Sequence, residues 1–203
     1  GNAAVLGLLH PLRYLLFTDA LLSHLSTRQV EAVTAHEIGH IRKHHIFWLG
    51  LCIIATLAVV GVLMREVQPW LRMSEKDLTL ITIMLSIGSI VWTIRFVGRR
   101  FEWQADAFAA RDLAVSSPEA DGIIGPSASG TVASALLNVG SMNGMHPDRP
   151  TWRHGSISDR VRRVDQLAGL SIDEIPIDRQ VRQIKLVYLL MLIASLAASV
   201  WRH

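Results

Sequence analysis

The sequence predicts a mainly α-helical protein with a small β-sheet, an α+β core into which an apolar helical hairpin is inserted. Three observations carry this expectation. Two uncharged apolar runs, 46–64 and 78–94, stand a short turn apart. The segments around them repeat their apolar residues with the helical period. One short stretch near the start, 12–18 (LRYLLFT), is dense in apolar and aromatic residues and reads as a strand.

The elements follow in order. Residues 19–25 suit a short helix or turn. Ser26 or Thr27 can cap a helix through Gln29 to His45, which is expected to continue directly into the first apolar run. At about 1.5 Å per residue that run, 46–64, covers roughly 28 Å, the thickness of a bilayer core. A polar turn with Pro69 and Trp70 leads into the second run, and Arg95, Arg99 and Arg100 close it, so 78–97 is the second candidate span. A helix is expected over 99–115, then a loop over 116–130 punctuated by Pro118, Gly122, Gly125 and Pro126. A short helix over 131–139, a loop over 140–155 and a helix over 157–167 come next. The third candidate span, 185–201, is bounded by Lys185 and Arg202, whose stems can snorkel. The chain reads as a single domain, 1–203. It opens on Gly1 without a signal peptide pattern, which suggests an N-terminally truncated chain.

Composition narrows the classes. Half of the 203 residues are hydrophobic and 18% are charged, too apolar for disorder. A net charge of +3 with no long basic run gives no reason to expect nucleic acid. The single cysteine, Cys52, excludes an intramolecular disulfide and a Cys-rich zinc module. Arg42 and Lys43, Arg95, Arg99 and Arg100, and Arg179, Arg182 and Lys185 all fall on one side if the three runs span. Arg65, Arg72 and Lys76 fall on the other. The larger cluster belongs in the cytoplasm by the positive-inside rule.

The chemistry lies in His36-Glu37-Ile38-Gly39-His40, an HExxH. On a helix the two histidines share a face and can reach one ion. Neutral imidazole suits Zn²⁺. Glu37 is placed to take the proton of a zinc-held water as that water attacks a carbonyl. A catalytic zinc wants a third protein ligand and one open position. His44 continues the series, but lies about 12 Å from His36 along a helix, too far for one ion. The longer HExxHxxGxxH pattern fails at Lys43 and Ile46. Among the remaining carboxylates and distant histidines, Glu102 fits best. It shares a helix face with Asp106, and a hairpin that crosses and returns brings it back to the side of His40. Asp106 can accept the ring N–H of a ligating histidine.

These residues bring the chain to a known group. It resembles the HtpX and type-one CAAX prenyl protease family of integral-membrane zinc metallopeptidases. The resemblance rests on Thr18-Asp19-Ala20-Leu21-Leu22, on Glu31-Ala32-Val33-Thr34-Ala35 before His36, on the apolar hairpin, and on Arg99-Arg100-Phe101-Glu102 through Asp106-Ala107. It implies His36, His40 and Glu102 as ligands of one Zn²⁺ per chain, Glu37 as base and Asp106 as the partner of His36. It also implies a downstream His with an Arg six residues later, filled here by His154, to stabilise the oxyanion, and Arg160, to support it or the substrate. Gly155 stands where that family customarily has Pro. Asn2, Ala3 and Ala4 match an edge-strand segment that pairs with extended substrate. The implied fold is zincin-like, a likeness strengthened by the order of HExxH and a later helical Glu.

The resulting expectation is a membrane-bound zinc endopeptidase acting on extended polypeptide in membrane or misfolded proteins. Its partners would be that polypeptide and the lipid bilayer. It would sit in a bacterial-type inner membrane with its site facing the cytoplasm. Three alternatives stand beside it: a CAAX-type prenyl-protein endoprotease, a non-catalytic metal-binding membrane scaffold, and a His-rich metal carrier. The prenyl branch is built around a multi-helix chamber that two or three spans do not enclose.

Overall fold

The computed structural model describes residues 3–6, 14–117, 121–152 and 154–201. Asn2, Arg202 and the first two residues of the expected strand lie outside them. The chain is mainly helical and divides into two compact units, residues 1–44 with 99–179, and residues 45–98 with 180–203.

The first unit opens with a two-stranded antiparallel sheet. Strand β1 (Ala3–Leu6) pairs with β2 (Tyr14–Phe17), Ala3 opposite Phe17 and Leu6 opposite Tyr14. Helix α1 (Asp19–His24) follows, its first turn capped by the Thr18 hydroxyl. Helix α2 (Thr27–Arg42) begins with a capping box. The Ser26 hydroxyl accepts from the Gln29 N–H, and the Gln29 side chain accepts from the Ser26 N–H at 3.0 Å. The expected continuation of this helix into the apolar run does not occur. Lys43 caps α2, and His44 takes φ 55°, a left-handed conformation that breaks the helical path before the next helix starts.

Helix α4 (Glu75–Val115) is continuous, where the sequence suggested two pieces. No proline interrupts it, and Gly98 alone does not end a helix. Its portion from Arg99 onward belongs to the first unit. Helix α5 (Pro126–Met142) starts earlier and ends later than the expected 131–139, because Gly125 serves as N-cap and Pro126 occupies the first turn, where its missing N–H costs nothing. Helix α6 (Ile157–Asp165) is capped by Ser156. The core of this unit is built of small and branched residues, Ala32, Ala35, Ala109, Val132, Ala135 and Val164 among them. Gly169, at φ 86°, turns the chain after α6 so that its N–H reaches the Ile124 carbonyl.

Among the described residues the second unit holds three helices long and apolar enough to cross a membrane: α3 (His45–Val67) with a following 3-10 turn (Gln68–Trp70), the first part of α4, and most of α7 (Pro176–Val200). The α3 and α4 segments are tied by a Thr56–Thr93 hydroxyl pair at 2.9 Å, with Thr93 fully buried. Lys185 lies over the Trp48 ring, and Arg65 donates to the Ala198 carbonyl. Large apolar side chains remain exposed along all three, including Phe47, Leu63, Met84, Leu190 and Ile193. Water disfavours such surfaces, and lipid does not.

Candidate metal centre

Helix α2 presents His36, Glu37 and His40 within two turns, and the first-unit part of α4 presents Glu102 and Asp106 one turn apart. The helices approach closely because the α2 face is small. A methyl group built on Gly39 would stand 3.2 Å from the Phe108 ring. His36, His40 and Glu102 each bring one ligand atom to a common point, all within 4.8 Å of one another. The imidazole Nε2 atoms are 3.1 Å apart. Glu102 Oε2 is 3.8 Å from His36 Nε2, and Glu102 Oε1 is 3.5 Å from His40 Nε2. Ligands about 2.0–2.1 Å from a tetrahedral ion are separated by about 3.3 Å, so these spacings fit a small divalent cation. Two imidazoles and one carboxylate are also a suitable donor set for one.

Around the cluster the charges are paired. His36 Nδ1 lies 2.9 Å from Asp106 Oδ1, which turns Nε2 toward the common point. Asp106 is held from the other side by Arg160, whose Nε and Nη2 donate to the two carboxylate oxygens at 2.8 and 2.6 Å. A further Arg160 nitrogen stands 3.4 Å from Glu102 Oε2. His154 Nδ1 is 2.8 Å from that same oxygen. Burial works to raise the Glu102 carboxyl, but His154, Arg160 and the two imidazoles outweigh it and hold the group well below the ordinary carboxylate range. Burial opposes ionisation of Asp106 too, and the Arg160 guanidinium with His36 brings it down to about 2. Glu37 is shifted the other way. Its burial, reinforced by the Glu102 charge, raises the carboxyl above its usual value despite His36, His154 and Arg160.

His154 sits on a tight loop. The Thr151 N–H donates to the Gly155 carbonyl at 2.8 Å, and the His154 N–H donates to the Thr151 hydroxyl at 3.2 Å. Gly155 has φ 76°, which a proline ring forbids, so this loop needs the glycine that the sequence carries. The side chain of His154 is 45% exposed, whereas Arg160 is almost wholly buried.

Beside the cluster lies a cavity of about 200 Å³, lined by Glu37, His36, Glu102 and His154 and by apolar side chains of α2, α5 and α6. Val132, Leu136 and Val139 supply its α5 wall. No motif marks these three in the sequence, but their spacing of four and three residues places them on one helix face. Arg160, which the family resemblance implies as support for the oxyanion or the substrate, lies against Asp106 and Glu102 and also lines the cavity. Ala3 and Ala4 lie in β1, the strand next to α2, and pair with Phe17 and Leu16. Among the described residues the sheet has two strands, so β1 keeps one edge without a strand partner.

Two histidines on one helix and a glutamate on a second thus form a group that could hold a metal ion, beside a cleft, as a metal-dependent hydrolase requires. The chain belongs to peptidase family M48, whose sequence model matches residues 1–166. It is accordingly a metallopeptidase. No curated protein and no solved structure matches it.

Proposed function

We propose that this metallopeptidase is an integral-membrane zinc endopeptidase of zincin-like core, cleaving extended segments of membrane or misfolded proteins in HtpX-like quality control. The observation that carries the reading is the convergence of His36, His40 and Glu102 beside a cavity that Glu37 also lines. Zinc held there would polarise the scissile carbonyl and lower the pKa of a water to near neutrality. Glu37 takes the water's proton as its oxygen bonds to the carbonyl carbon, and delivers that proton to the amine nitrogen as the C–N bond breaks. The raised pKa of Glu37 suits both transfers. His154, on its exposed loop, donates to the carbonyl oxygen as negative charge develops there. Asp106 orients His36, and Arg160 keeps Asp106 and Glu102 ionised from behind. Ala3 and Ala4, on the β1 edge, offer main-chain pairing to an extended substrate, and the apolar α5 wall takes one of its side chains.

Residues 46–64, 78–97 and 185–201 span the membrane in this reading, a bacterial-type inner membrane with the site on the cytoplasmic side. The three apolar helices support it. The test is digestion of an unfolded protein by zinc-loaded enzyme in detergent. Glu37→Gln should keep its zinc and lose at least a hundredfold in rate, as expected for a general base. Equal cleavage by both forms would overturn the mechanism. Cleavage confined to prenylated peptides would favour the CAAX-type activity instead.

A further inference from the structure

The two helices that carry the ligands are joined a second time, away from the ligands. Asp178, in the first turn of α7, receives Lys43 Nζ at 3.0 Å and is also hydrogen-bonded by the Gln104 amide through the same oxygen. Lys43 is the C-cap residue of α2, three positions after His40. Gln104 is two positions after Glu102 on α4 and is 4% exposed. Two residues turn a helix by about 200°, so Gln104 leaves α4 on the side opposite Glu102. Rolling α4 about its axis would swing Glu102 away from His40, and a tether on the far side resists that roll. The Lys43 arm holds the end of α2 to the same carboxylate. A small recess formed by Phe108, Arg111 and Ile175 surrounds the three groups. All of them belong to the first unit. Asp178 lies beyond residue 166, where the match to the peptidase family ends.

We propose that Asp178 is a positioning residue for the metal centre: by clamping Lys43 and Gln104 it sets the spacing and rotation of α2 against α4, and so the affinity of His36, His40 and Glu102 for their ion. It rests on the metal-site reading above. It predicts a metal-affinity effect from a residue that touches neither metal nor substrate.

The test titrates the full-length apoprotein in detergent with Zn²⁺ against a chromogenic chelator, alongside the thermal unfolding of the apo form. Asp178→Ala is expected to weaken Zn²⁺ binding about tenfold, the lower end of the effect of partners that orient metal ligands. Asp178→Asn, which keeps an acceptor oxygen for Gln104, should recover part of that loss. Lys43→Met and Gln104→Leu should each reproduce part of it. His40→Ala and Glu102→Ala serve as references. If neither reference variant lowers affinity, the metal site itself is wrong. If both do while Asp178→Ala, Lys43→Met and Gln104→Leu bind Zn²⁺ like wild type, the clamp is overturned. Lower apo stability in those variants with unchanged affinity would likewise reduce Asp178 to a structural role. Should Asp178→Ala fail to fold, the Lys43 and Gln104 variants decide by the same affinity readout.

Discussion

Arg160 is the counter-ion shared by two buried carboxylates of the candidate site. Glu102 and Asp106 are both buried and both ionised, which a low-dielectric interior resists unless positive charge is close. The guanidinium grips Asp106 with two nitrogens and reaches Glu102 with a third. Arg160→Met keeps the bulk of the side chain and removes the charge, leaving two buried carboxylates poorly compensated. The expected cost is about 3–5 kcal/mol, read as a fall of about 10 °C in apparent Tm of the detergent-solubilised protein. An unchanged Tm would dismiss Arg160 as the counter-ion and return it to the supporting role toward oxyanion or substrate that the family resemblance implies. The same contrast shows what was legible in the sequence. His36, Glu37 and His40 could be found because ligands at i and i+4 meet through local helix geometry. Glu102 and Asp106 obey the same rule on a second helix. Arg160 pairs with Asp106 across 54 positions, and no local pattern encodes a tertiary contact of that kind.

At the scale of elements, small residues decide how close the helices come. Gly140 on α5 is the sharpest instance, since a methyl group there would meet the Ile157 tip of α6 at 2.1 Å. Gly140 also lines the cavity beside the metal cluster. Gly61, on the apolar helix α3, has nothing within 4 Å. Gly140→Leu should overpack the α5–α6 contact at a cost of about 1–3 kcal/mol, several degrees in Tm, and raise KM by narrowing the cavity. Gly61→Leu should leave both within error, and equal effects at the two sites would remove the packing explanation. Element boundaries were the least legible feature of the sequence. The break after α2 depends on the left-handed His44, a conformation histidine adopts more readily than most residues but does not announce. The α5 start, by contrast, is signalled by Gly125-Pro126, since proline opens a first helical turn as readily as it breaks a helix interior.

For the whole molecule, the distribution of charge along the chain makes the most direct prediction. The membrane reading puts the turn around Arg72 and the loop around Arg149 on opposite sides of a bilayer, with basic residues enriched on the Arg149 side. Both positions are exposed, so a cysteine at either is open to reagent. The one native cysteine, Cys52, is buried and can be replaced by alanine to give a clean background. In intact bacterial cells a membrane-impermeant maleimide should then label Arg72→Cys and spare Arg149→Cys, which should react only after permeabilisation. The protein should also stay with the membrane pellet through an alkaline carbonate wash, since burying one long apolar helix in lipid already resists release. Reversed labelling would keep the spans and invert the orientation, placing the peptidase site outside the cytoplasm and its substrates among exported proteins. Release into the wash would remove the spans altogether, and the exposed apolar faces of the three helices would then have to be covered by protein.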